Sequence, residues 1–221
     1  MIKYYPKINL SLSEVNNQPT LLIYSLEGCN LNCYKCFNRN LIDNKYKDYY
    51  TINDIINYIK LNENIFESIV FSGGEYLVSS SLDIFHDLSL IKSITKKPII
   101  IYTNGFLVDK IFMFTESPSI KNIVDGFHID MKLPYHLLDI KKDKELIIKA
   151  LGIKLNENNI NNPLTSISYV IKNDKGYSQV RSVKYPFLDE SAFIECEKYI
   201  QEVNKFYGKN VPYFTNEFVE I

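Results

Sequence analysis

Glu27-Gly28-Cys29-Asn30-Leu31-Asn32-Cys33-Tyr34-Lys35-Cys36-Phe37-Asn38 holds three of the four cysteines of this 221-residue chain. The spacing is C-x-x-x-C-x-x-C, and the apolar run Leu21-Leu22-Ile23-Tyr24-Ser25-Leu26 leads straight into it. A short apolar run closed by glycine reads as a buried strand, so three soft ligands stand on one loop at a strand end. A structural zinc site wants four ligands, usually as two short pairs, and Cys196 lies far along the chain with no histidine beside it. A disulfide framework wants an even set, and four cysteines are too few to staple a chain of this length. Three thiolates would occupy three irons of a 4Fe-4S cubane and leave the fourth open to a small molecule. The ligand arithmetic favours the cluster, with zinc next.

Outward from that loop, short β-branched runs alternate with helical patterns, which points to βα units and a parallel sheet. Thr51 with Asp54 forms a capping box ahead of Ile52, Ile55, Ile56 and Ile59. A second strand, 68–71, runs into Gly73-Gly74-Glu75. A helix over 80–94 carries Leu82, Phe85, Leu88 and Ile91 as an apolar stripe. A third strand, 98–102, ends in Thr103-Asn104-Gly105, and a weakly patterned helix over 107–116 follows. A fourth strand, 126–132, ends before Pro134. Asp143 caps a helix that faces Leu146, Ile147, Ala150 and Leu151 inward and stops at Gly152, and the polar stretch 156–163 reads as a surface loop. The runs 166–171 and 179–185 both read as strands, with a gap too short for a helical crossover, so they pair antiparallel or one lies outside the sheet. The last long helix, 189–206, places Phe193, Cys196, Ile200 and Val203 on one face, and 211–214 reads as a closing strand. Cys196 in that stripe reads as a buried small hydrophobe. The expected fold is α/β, an open partial (β/α) barrel of about six units, in one domain spanning 1–221.

A formal charge of −1 leaves no electrostatic footprint for nucleic acid or an anionic membrane. No apolar run approaches the roughly 20 residues that span a bilayer, and the N-terminus has no signal-peptide pattern. The expected location is cytoplasmic, where thiols stay reduced. His86, His128 and His136 are scattered and read as structural or solvated, and no phosphate loop or Gly-x-Ser-x-Gly elbow is present.

In such barrels chemistry collects at the carboxyl ends of the strands, and that is where the polar patches fall. In Gly73-Gly74-Glu75 the glycines admit close backbone approach and the carboxylate can hold an ammonium group; alone, a Gly-Gly pair is more often a turn. Asn104 follows a strand and fits a turn equally well. Asp130 and Lys132 share one strand face, where the plain reading is a surface salt bridge. Arg181 could clamp a carboxylate bidentately, or stand exposed on its strand.

At these residues the chain resembles the radical S-adenosylmethionine (SAM) superfamily. Gly28 to Cys33 and Cys36-Phe37-Asn38 look most like the activating enzymes of anaerobic ribonucleotide reductase, as does Asp130-Met131-Lys132-Leu133-Pro134, which resembles the strand-four end of glycyl-radical activases. The resemblance spans about 21–200 and departs in two places: Lys35 stands where an aromatic commonly precedes the third cysteine, and Tyr76 follows Glu75 in place of proline. It implies a barrel of the radical SAM type, with Cys29, Cys33 and Cys36 on a 4Fe-4S cluster. SAM would be held by Gly73, Gly74, Glu75, Asn104, Asp130 and Lys132, with Arg181 as a further contact. SAM cleavage would give a 5′-deoxyadenosyl radical that makes a glycyl radical on the large reductase subunit, with a flavodoxin or ferredoxin as electron donor. Two alternatives stand beside it. One is a radical SAM enzyme on a small molecule, like the 7-carboxy-7-deazaguanine synthases, which usually follow the third cysteine with Asp-Thr where this chain has Phe37-Asn38; the other is a non-catalytic metal-binding protein.

Overall fold

A computed structural model describes residues 1–15 and 17–220. The strands are β1 (Asn9–Val15), β2 (Gln18–Ser25), β3 (Ser68–Gly73), β4 (Ile99–Thr103), β5 (Gly126–Asp130), β6 (Gln179–Lys184) and β7 (Tyr213–Glu217). The α-helices are α1 (Arg39–Asp43), α2 (Ile52–Leu61), α3 (Ser81–Ile94), α4 (Val108–Glu116), α5 (Lys144–Leu151), α6 (Asn162–Lys172) and α7 (Glu190–Tyr207). The sheet order is β1-β2-β3-β4-β5-β6-β7, with β1 antiparallel to β2 and every later pair parallel. The sheet curls into an open partial barrel.

A parallel sheet covered on both faces needs apolar side chains on both, and alternation along these strands supplies them. Leu21, Ile23, Ile69, Phe71, Ile99, Ile101, Phe127 and Ile129 join the main core, while Leu22, Val70 and Ile100 form a second cluster with Val15. The register sets Ser25 opposite Gly73, Thr103 opposite Ile129 and Asp130 opposite Arg181. The strands therefore deliver their polar ends to one rim.

Two expectations need correction, and one strand lies where none was expected. Residues 166–171 form α6, not a strand: Pro163 sits in its first turn, and Leu164, Ile167, Val170 and Ile171 are buried at helical spacing. This helix is the crossover that lets β6 continue the sheet in parallel, so neither antiparallel pairing nor a strand outside the sheet arises. On α3, Leu88 and Ile91 are buried as expected, but Leu82 and Phe85 are exposed, and Ile84 and Asp87 take their place on the inner face. Strand β1 was not anticipated, because its leucines, Leu10 and Leu12, point outward and leave no apolar run inside the core. The capping box formed as expected, with Asp54 Oδ2 accepting from the Thr51 backbone N–H at 2.7 Å. Among the described residues no helix is long and apolar enough to cross a membrane.

Candidate functional site

The cysteine loop leaves β2 and is tied down on three sides. At the end of β3, Glu75 N–H donates to the Gly28 carbonyl at 2.8 Å, and Asn38 Nδ2 donates to the Gly73 carbonyl at 2.7 Å. At the end of β4, Asn104 Nδ2 donates to Asn30 Oδ1 at 2.7 Å. Below, the loop caps α5: Asn32 N–H donates to the Leu151 carbonyl at 2.9 Å and Tyr34 N–H to the Ala150 carbonyl at 3.2 Å. The last carbonyls of a helix need partners from outside it, and here the loop provides them. Two glycines make the close approach possible. A Cβ on Gly74 would lie 2.1 Å from the Gly28 carbonyl oxygen, and one on Gly152, whose φ is +67°, would lie 2.0 Å from that of Asn32.

All ten anticipated site residues line one cavity of about 390 Å³: Cys29, Cys33, Cys36, Gly73, Gly74, Glu75, Asn104, Asp130, Lys132 and Arg181. The three thiols are free and partly buried. Burial pushes the Cys29 thiol up to about 11 and raises Cys33 as well, so metal binding at these sulfurs must expel protons. Cys196 is buried on α7 away from the cavity, as expected. Three thiols on a loop braced by two strand ends and a helix fit a 4Fe-4S cluster.

Glu75 lies beneath the cavity floor, 2% exposed. Its oxygens accept from Asn104 N–H at 2.7 Å and Leu77 N–H at 3.2 Å, which ties the β3 and β4 ends together. Burial lifts its carboxyl to about 7 against the pull of those two donors. Tyr76, in the place of the family's proline, turns away into the core beside Tyr4, whose hydroxyl donates to Asp87 at 2.6 Å.

Lys132 donates to Asp130 Oδ2 at 2.7 Å. The plain surface salt bridge is excluded, since the lysine side chain is 11% exposed. Burial opposes its charge, but the Asp130 carboxylate and the nearby Cys33 outweigh that and hold the ammonium charged well above the usual lysine range. Arg181 is likewise not an exposed strand residue. Its guanidinium lies 4.0 Å over the Tyr102 ring, Nη1 donates to the Tyr102 hydroxyl at 3.1 Å, and Glu14 stands 3.7 Å away. His128, one of the three dispersed histidines, is buried and bonded through Nδ1 to the Gln179 amide at 2.9 Å; burial keeps it neutral.

Sequence reasoning gave no role to Asn30 or Asn38, although both lie within the cysteine stretch, and it missed the far wall of the cavity altogether. Tyr34, Val183, Tyr185, Phe218 and Val219 make that wall apolar. The site is thus two-ended. The glycines, Glu75, Asn104 and Asp130 collect at the ends of β3, β4 and β5, and the aromatic and aliphatic groups collect beside β6 and β7, where Arg181, Asn216 and Glu217 also reach the cavity.

No curated protein matches the chain by sequence. A crystal structure of QueE from Escherichia coli shares the fold, with a TM-score of 0.51 and 12% identity, over 99% of this chain and 85% of that one. The family described as "4Fe-4S single cluster domain" matches residues 20–147, from β2 to the middle of α5. The cysteine spacing, the family match and the shared partial-barrel fold together support the radical SAM superfamily. With more than half of its length inside that match, the chain belongs to the 4Fe-4S single cluster domain family.

Proposed function

We propose that this protein is a radical SAM oxidoreductase, and that it activates anaerobic ribonucleotide reductase by placing a radical on a glycine of the large subunit. When bound, the reduced cluster and SAM supply a 5′-deoxyadenosyl radical and release methionine. The chain's own residues do the rest. Cys29, Cys33 and Cys36 hold iron; the Gly73-Gly74 backbone and Glu75 receive the ammonium end of SAM; Asn104, Asp130 and Lys132 orient its remainder. A carboxylate lifted towards neutrality by burial gains most from an arriving cation, which restores its charge. The apolar wall suits the purine and keeps water from the radical.

The observation that carries the activase reading is the Asp130–Lys132 ion pair. It builds the Asp-x-Lys-x-Pro pattern of those enzymes into the cavity wall beside Cys33. Phe37 and Val219 also stand exposed at the rim, an apolar lip for a large partner. A second reading, a radical SAM enzyme acting on a small molecule, is favoured by a cavity of about 500 Å³ that shares Arg181 and Asn216 with the first. The buried Arg181 Nε has no hydrogen-bond partner there.

The test combines the cluster-loaded protein, SAM, a reductant and the reductase of the same organism without oxygen. A glycine-centred radical signal on the reductase is expected, and it should vanish when the partner glycine is changed to alanine. Production of 5′-deoxyadenosine only with a pterin-type small molecule, with no radical on the reductase, replaces the activase by the second reading.

A further inference from the structure

Lys35, not an aromatic residue, precedes the third cysteine, and the rings beside the loop come from the far end of the chain. Lys35 occupies that position with φ +40° and bonds outward to Glu220. Tyr34 turns aside into an aromatic group, with ring centroids 5.1 Å from Phe187, 6.3 Å from Tyr185 and 5.7 Å from Phe218. The last two residues of β7, Asn216 and Glu217, and the two that follow it, Phe218 and Val219, all line the cluster cavity. Phe218 is half-buried there, set between Tyr34 and Tyr185.

We propose that Phe218 is a cofactor-binding residue: its ring, which lines the cavity together with Val183 and Val219, is the wall on which the purine of an adenosyl nucleoside lies. The Lys35–Glu220 pair pins that segment over the cysteine loop. This assignment rests on the SAM reading above and adds a residue that no loop motif contains. Its position is the argument. The groups assigned to the ammonium end, Gly73, Gly74 and Glu75 with Asn104, lie at the ends of β3 and β4, whereas the rings of Tyr34, Tyr185 and Phe218 gather on the β6–β7 side, which offers the flat, weakly polar base its apolar surface. Base-on-aromatic stacking is worth enough for one ring to matter to affinity.

The test measures equilibrium binding of SAM, 5′-deoxyadenosine and methionine to the anaerobic, cluster-loaded protein. Phe218→Ala should weaken SAM and 5′-deoxyadenosine by about tenfold, within the range for losing one stacked aromatic ring. It should leave methionine binding and iron content unchanged. Since the chain contains no tryptophan, Phe218→Trp installs a single reporter that should retain SAM affinity and change its emission when 5′-deoxyadenosine is added. Undiminished nucleoside affinity in Phe218→Ala overturns the assignment. So does an equal loss for methionine, or a loss of iron, because the ring would then be acting on the cysteine loop through Tyr34. Failure of the wild-type protein to bind SAM at full iron content instead overturns the functional reading on which the assignment rests.

Discussion

Replacing Glu75 with glutamine gives the sharpest test of the polar end of the cavity. Burial lifts this carboxyl from its ordinary 4.5 to about 7. The folded protein then holds the proton more tightly than the unfolded chain. The corresponding stability is fully present below the unfolded value and is lost as pH rises through the folded one. At 1.36 kcal/mol per unit, the loss across that window is about 3 kcal/mol. Denaturant unfolding at a series of pH values, for wild type and Glu75→Gln, reads it as a difference in which other titrations cancel. Glutamine keeps one acceptor for the two N–H donors at 2.7 and 3.2 Å, which shifts the whole curve without tilting it. The wild-type curve should fall relative to the variant from about pH 5 to 7 and run parallel above. SAM binding has the opposite slope, since its ammonium prefers the ionised carboxylate. Affinity should rise by up to about tenfold per pH unit below 7 in wild type and stay flat in the variant. Parallel stability curves from about pH 5 to 8 would refute the account of Glu75 as a buried, proton-holding carboxylate.

Three further outcomes follow from the packing. Gly74→Ala places a Cβ 2.1 Å from the Gly28 carbonyl oxygen, so it should cost about 1–3 kcal/mol and lower iron retention by shifting the cysteine loop, read by denaturant unfolding and iron assay. Asp130→Ala strands the Lys132 ammonium, and with Asp130 itself partly exposed the cost should be about 3 kcal/mol, or roughly 6–12 °C in melting temperature. Cys33→Ala should abolish cluster assembly, whereas Cys196→Ala should retain it, both read by iron content and visible absorbance.

The cysteine spacing and the strand-end glycines carried most of the site, because both are local: one loop holds the thiols, and parallel strands of equal height bring their ends together. What stayed hidden was non-local. Ser166-Ile167-Ser168-Tyr169-Val170-Ile171 alternates like a strand, and only packing of α6 against α4 and α7 shows that the helical stripe prevails. Asn9–Val15 pairs with β2 through its backbone while exposing Leu10 and Leu12, so periodicity gave no signal. The aromatic wall joins Tyr34 to Phe218, residues at opposite ends of the chain. For Arg181 and Lys132 residue type left a site role and a solvent-facing one side by side, and only the packing of Tyr102 and Asp130 shows what makes their burial tolerable.

The central claim is that three thiolates hold a cluster whose open iron works on SAM. The most direct measurement reconstitutes the protein without oxygen, counts iron and sulfide, then adds reductant and SAM and quantifies 5′-deoxyadenosine and methionine. About four irons and four sulfides per chain are expected, with the two products formed in equal amounts and neither formed by Cys33→Ala. Intact SAM recovered from fully loaded, fully reduced protein, with the partner present, would contradict the account.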